Sequence, residues 1–166
     1  IHPYIVKQIL DDKDNVLAEA QPVTAGDENL RVIDPRNAYL MDSMMHDVVR
    51  RGTATKAAAV LKRSDLAGKT GTTNDYVDAW FCGYQPTVVG IAWIGFDQPK
   101  RLGNGETGGS AALPIWIGYM EKALAGVPES YMDQPEGLAQ VTAHDPGGKG
   151  GGTEFVYRET IPEVPP

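Results

Sequence analysis

Apolar and β-branched residues dominate positions 4 to 10, YIVKQIL, until the acidic run DDKDN at 11–15 interrupts them and VLAEA restores extended character. Two short apolar runs around turn residues predict a β-hairpin. Asp11, Asp12 and Asp14 have the acidity of a cation site, but aspartates of this kind also build turns, and the turn is the simpler reading. Asp34 and Pro35 then make an N-cap and first-turn pair. Ala38, Met41, Met45 and Val48 recur at helical spacing until Arg50, Arg51 and Gly52 close the element. The spacing predicts an amphipathic helix whose methionine stripe faces the core, with His46 one residue off the stripe and half exposed.

A basic, Ala-rich stretch at 53–63 precedes three short segments, LAGKTGTT, AWFCGY and VVGIAWIGF, separated by NDYVD and QPT. They read as successive antiparallel strands. The third is apolar along nearly its whole length, which predicts a strand covered on both faces with helices on either side. GNGETGG reads as a flexible loop. Beyond it Leu113, Trp116, Ile117, Met120 and Leu124 mark a second amphipathic helix, with Pro114 in its first turn and Gly126 past its end. From Val127 onward the chain turns to Pro, Gly and acidic residues, including DPGGKGGG and IPEVPP. Few apolar residues remain to bury there, so residues 127–166 are expected to form a tail behind a domain at 1–126. The fold class is α+β, an antiparallel sheet flanked by helices.

Composition narrows the function classes. At 166 residues, 42% hydrophobic and 22% charged, the chain has material for one globular core. Fifteen basic against 22 acidic residues give a net charge of -7, which argues against a nucleic-acid partner. The single Cys82 rules out an internal disulfide and a cysteine-rich zinc site; inside AWFCGY it is expected to be a buried, small hydrophobe. His2, His46 and His144 lack metal-ligand spacing, so neither a metal nor another cofactor is expected. No run reaches the roughly 18 apolar residues of a membrane span, and no signal pattern opens the chain. Residue 1 is Ile in strand-like surroundings. The chain is expected to be the inside of a longer one, and absent targeting signals then say nothing about compartment.

The tripeptide Gly68-Lys69-Thr70 suggests a phosphate-binding loop, but such a loop needs Gly five residues earlier, where Arg63 stands. It also needs a helix starting at the lysine, and Gly71, Thr72 and Thr73 suit a strand better. The other use of these residues is Lys-Thr-Gly, a motif of penicillin-binding proteins and active-site serine β-lactamases. On a strand, side chains alternate, so Thr70 and Thr72 share one side about 6–7 Å apart, where two hydroxyls can grip one anion.

Taken together, AGKTGTTNDYVDAWFCGYQP, VGIAWIGFD, GGSAALPIW and the approach NAYLMDSMMHDVVRRGTA closely resemble the end of the transpeptidase domain of class A, bifunctional penicillin-binding proteins, over about residues 1–126. The resemblance implies a partial domain of the serine β-lactamase and transpeptidase fold. It implies crosslinking of peptidoglycan, in which a serine attacks the D-Ala-D-Ala end of a stem peptide and an amine from a neighbouring stem resolves the acyl-enzyme; β-lactam antibiotics acylate the same serine. Lys69 is implied to supply positive charge beside the site, and Thr70 and Thr72 to receive the substrate's terminal carboxylate. The Thr72 N–H is implied to form half of the oxyanion hole, and Gly71 to let a neighbouring helix approach the strand. It also implies a membrane-anchored parent chain, with this part in the periplasm or otherwise outside the cytoplasm.

The nucleophile motif Ser-x-x-Lys is missing, because none of Ser43, Ser64, Ser110 and Ser130 has a lysine three residues later, and Ser-x-Asn is missing too. This chain by itself is therefore expected to be silent, with the serine and lysine on an N-terminal remainder of the same protein. The alternative is a non-catalytic relative that binds peptidoglycan stems or a partner protein. A β-lactamase fragment fits less well, since those enzymes lack the long tail and the TTND run.

Overall fold

The hairpin expected at the start forms, though its strands are shorter than the apolar runs. β1 (Gln8–Leu10) pairs antiparallel with β2 (Val16–Glu19), with an irregularity between Ile9 and Leu10. Asp11 builds the turn. Its Oδ1 accepts from the Lys13 and Asn15 N–H groups, each at 2.8 Å, and its Oδ2 accepts from Asn15 Nδ2 at 2.8 Å. The Asn15 side chain foremost, then the two backbone N–H groups, hold the Asp11 carboxyl below its ordinary range. In this computed structural model residues 4–22, 26, 28–143 and 152–161 are described. They divide after Asp34 into two units, and the hairpin belongs to the first.

The second unit begins with α1 (Pro35–Arg50) and α2 (Thr55–Leu61). The three strands follow as expected: β3 (Ala67–Thr72), β4 (Ala79–Gln85) and β5 (Val88–Ile94) form an antiparallel sheet in that order. A π-helical turn, Gly108–Ala112, runs into α3 (Leu113–Ala123). Thr107 and Ser110 cap its start reciprocally: the Ser110 N–H donates to Thr107 Oγ1 at 3.2 Å and the Thr107 N–H to Ser110 Oγ at 2.8 Å.

α3 covers one face of the sheet because the sheet is bare there. Gly68, Gly83 and Gly90 lie in register across the three strands, and a Cβ on Gly83 would sit 2.8 Å from the Trp116 ring. The indole fills that trough. Its Nε1–H donates to the Gly90 and Gly83 carbonyls at 3.1 and 3.3 Å, and its ring meets Phe81 edge-to-face at 4.9 Å. Trp116, Phe81, Leu113 and Met120 are all but completely buried. At about 25 cal/mol per Å², each aromatic contributes about 5 kcal/mol of gross burial.

Among the described residues of this unit, α1 crosses part of the opposite face. Tyr84 O–H donates to Asp42 Oδ1 at 2.7 Å, and His46 Nδ1 lies 2.8 Å from the Leu66 carbonyl, which can only accept. These bonds correct two expectations for the helix. His46 is buried, and the core face runs through His46 and Val49, while Met41 on the expected stripe stays exposed. Farther along the same face Trp80, Cys82, Val89, Ile91 and Trp93 are exposed. Cys82 is thus not the buried hydrophobe expected of it, and β5 is not covered on both faces among the described residues. Phe81 and Cys82 alternate across the pleat, and only the Phe81 side meets α3.

Much of the expected tail is folded. β6 (Leu138–Ala143) and β7 (Gly152–Tyr157) pair antiparallel; Leu138 is buried, and Phe155 meets Tyr39 of α1 edge-to-face at 5.0 Å. Residues 127–130 are tied to the half-buried Arg63 and the buried Asp65. Arg63 Nε and Nη2 donate to Asp65 Oδ1 and Oδ2 at 2.9 and 2.7 Å, while Arg63 Nη1 donates to the Val127 carbonyl at 2.7 Å. The Ser130 N–H donates to Asp65 Oδ2 at 3.2 Å. Burial pushes the Asp65 carboxyl up, but the bonds from Arg63, Ser130 and Gln85 together hold it below its ordinary range. Most of DPGGKGGG and of IPEVPP, together with His2 and His144, lies outside the described residues.

Candidate functional site

β3 enters from a buried anchor, Leu66 and Ala67, and leaves toward solvent at Thr72. Just past its end the Thr73 N–H donates to the Asp78 carbonyl at 3.1 Å. The register carries that pairing back along the strand: odd-numbered residues bond β4, while Gly68, Thr70 and Thr72 direct N–H and C=O away from it. Two contacts agree with this parity, since the Leu66 and Thr70 carbonyls accept from His46 and from Lys69 Nζ, both at 2.8 Å. The Thr72 N–H therefore points out of the open edge of β3, as an oxyanion donor must.

The side chains of Thr70 and Thr72 share one face of the strand, as expected, and each oxygen already has a partner from another element. Thr70 Oγ1 lies 3.0 Å from Oγ1 of Thr53, in the loop between α1 and α2. Thr72 Oγ1 accepts from the Gly108 N–H at 3.0 Å. The Gly108 N–H can only donate, so Thr72 Oγ1 accepts and keeps its own proton for an anion, whereas in the Thr53–Thr70 pair either hydroxyl can donate. Lys69 departs from the opposite face, in register with Cys82 and Ile91, but its Nζ turns back to the strand edge at the Thr70 carbonyl. One ammonium, two hydroxyls and an outward N–H thus meet at one stretch of edge.

A Cβ at Gly71 would meet Trp80 Cβ at 3.2 Å, whereas a Cβ at Gly108 would fall 2.2 Å from the Trp80 carbonyl oxygen and 2.5 Å from that of Gly71. The glycine that admits a close helix is Gly108. The spacing in LAGKTGTT carried no sign of Gly108 or Thr53, because tertiary packing brings both to the strand; the Gly108-Gly109 pair before an amphipathic helix was the available clue.

The loop after β3 fixes the strand's far end. The Asp78 N–H donates to Thr73 Oγ1 at 2.7 Å, Trp93 Nε1 donates to Asp78 Oδ1 at 2.9 Å, and the Leu102 N–H donates to the Tyr76 carbonyl at 2.8 Å. Asp75 and Tyr76 take positive φ, 58° and 55°, to make the reversal. Among the described residues no three His, Cys, Asp or Glu side chains gather to hold a metal ion, and no helix is long and apolar enough to cross a membrane.

Comparison with known proteins places this edge in a family context. A family model described as the penicillin binding protein transpeptidase domain matches residues 1–116. Penicillin-binding protein 1A of Neisseria lactamica is 49% identical over 138 residues, which is 83% of this chain and 17% of that protein. The protein of the same name from Pseudomonas aeruginosa is 47% identical over 162 residues, covering 91% of this chain and 20% of its own length. The chain thus spans about a fifth of these relatives. The crystal structure of penicillin-binding protein 1A from Haemophilus influenzae superposes with a TM-score of 0.81 at 29% identity, over 98% of this chain and 30% of that one.

Proposed function

Because the chain belongs to the penicillin-binding protein transpeptidase family, we propose that it supplies the substrate-binding edge of a peptidoglycan D,D-transpeptidase whose nucleophilic serine lies on another part of the parent chain. The observation that carries this reading is the convergence at the β3 edge of Lys69 Nζ, the Thr70 and Thr72 hydroxyls and the outward Thr72 N–H. A stem peptide ending in D-Ala-D-Ala presents a carboxylate one residue beyond the scissile carbonyl. Laid along β3, its carboxylate meets the two hydroxyls while its carbonyl oxygen meets the Thr72 N–H. Attack by serine turns that oxygen into an oxyanion, and an amide aimed at it lowers the barrier by about 3 kcal/mol. D-Ala leaves, and the amine of a neighbouring stem releases the acyl group. Lys69 adds positive charge where the carboxylate collects.

A β-lactam carries the same pairing of carboxylate and reactive carbonyl, so it follows the same path and stops at the acyl-enzyme. On this reading the protein works outside the cytoplasm, where peptidoglycan lies, on the periplasmic side of an inner membrane that anchors the parent. Replacing Lys69 by Ala or Thr70 by Val in the intact parent should slow labelling by a fluorescent penicillin by about 10- to 1,000-fold, with the thermal transition unchanged. Near-normal labelling of both variants would remove the site assignment. No labelling of the unmodified parent would favour a non-catalytic binding module of the same fold.

A further inference from the structure

Thr70 and Thr72 are the hydroxyls of the proposed carboxylate site, and each has one proton to give. If either spends that proton inside the protein, it meets an anion lone pair to lone pair. For Thr72 the matter is settled by chemistry: its partner is the Gly108 N–H, which can only donate, so Thr72 Oγ1 accepts and its proton is released. For Thr70 the partner is another hydroxyl, Thr53 Oγ1 at 3.0 Å, and either oxygen can donate.

We infer that Thr53 is a positioning residue for substrate, donating its proton to Thr70 Oγ1 so that the Thr70 proton faces the carboxylate. This rests on the assignment of the β3 edge as the carboxylate site. An arriving anion selects that direction, because only then does Thr70 present a donor to it. A hydroxyl that accepts one bond while donating another is also polarised into a better donor. The two threonines are thereby served alike, Thr72 from the start of the helix and Thr70 from the loop after α1.

The surroundings of Thr53 suit a fixed donor. Ala54, next in sequence, is fully buried and its N–H donates to the Val48 carbonyl at 3.0 Å, which pins the loop to the end of α1. The Thr53 carbonyl faces Gly109, where a Cβ would come within 3.3 Å. Thr53 itself is exposed, so its hydroxyl serves no core, and its removal should leave the fold standing.

The test uses the intact parent and compares acylation by a penicillin with acylation by its methyl ester, which keeps the reactive carbonyl and loses the anion. The ratio of the two rates is independent of how much of a variant is folded. Thr53→Val should lower that ratio by roughly tenfold through the acid arm, and Thr53→Ser should restore it to within about twofold. Thr70→Val should lower it at least as far. A lowered ratio in Thr70→Val with an unchanged ratio in Thr53→Val overturns the role of Thr53 and leaves the carboxylate site intact. Equal slowing of acid and ester in Thr53→Val makes Thr53 structural and also overturns it. An unchanged ratio in Thr70→Val removes the carboxylate site, and the role of Thr53 with it.

Discussion

Replacing Gly108 by Ala tests how the fold builds the site, because one added methyl strikes the sheet and the threonine edge together. The new Cβ would lie 2.2 Å from the Trp80 carbonyl oxygen and 2.5 Å from that of Gly71, where Cβ atoms are essentially never found under 3.0 Å. Both obstacles are backbone, so the start of the helix must retreat by about 1 Å. That retreat stretches the 3.0 Å bond from the Gly108 N–H to Thr72 Oγ1 beyond useful length. Overpacking costs about 1–3 kcal/mol and the lost bond about 1 kcal/mol, so the transition should fall by on the order of 10 °C. The control is Gly118→Ala in α3, where an added Cβ meets nothing within 4 Å and helix propensity favours alanine by up to about 1 kcal/mol. Thermal unfolding of both variants in the parent, with penicillin labelling of each, reads both effects. A Gly108→Ala protein that melts with the unmodified one and labels at the same rate would refute the close-approach reasoning.

Arg63→Ala strands the buried Asp65 carboxylate and should cost about 3–5 kcal/mol by urea unfolding, whereas the double change Arg63→Met with Asp65→Leu should recover most of it; equal losses in both would mean the pair contributes only volume. Asp65 and Asp42, the latter held below its ordinary range by His46 and Tyr84 against the upward push of burial, both lose protons more readily folded than unfolded. Their contribution is present above the ordinary carboxylate range of about pH 4 and is lost as pH falls through their folded values. The urea midpoint should therefore drop more steeply below about pH 5 in the unmodified protein than in the Arg63→Met, Asp65→Leu double variant, and parallel curves would contradict this. Trp116→Phe removes the second bond accepted by the Gly83 and Gly90 carbonyls and should cost about 1 kcal/mol in the same assay; no change would mean the ladder bonds alone satisfy those carbonyls.

The elements whose signal is local were legible from the residues. The hairpin turn at Asp11, the strands around KTGT and the helix through Trp116 each rest on spacing that needs no distant partner. What failed depended on distant groups. Spacing puts His46 one residue off the apolar stripe and half exposed, but the Leu66 carbonyl and Asp42 satisfy it inside, which turns the buried face of α1 by one residue. The composition after Val127 looked unable to bury anything, yet the Val127 and Pro128 carbonyls complete the coordination of Arg63, more than sixty positions earlier. Cys82 was judged by its apolar neighbours, while strand alternation puts it on the side that α3 does not reach. At the proposed site the motif names only residues of β3 itself, and packing of separate elements brings Thr53 and Gly108 to them.

Mapping the residue acylated when the intact parent reacts with a fluorescent penicillin decides whether this chain is the binding half of a transpeptidase. The adduct is expected on a serine followed three residues later by lysine, outside these 166 residues. An adduct on Ser43, Ser64, Ser110 or Ser130, or no adduct on any serine, would contradict it.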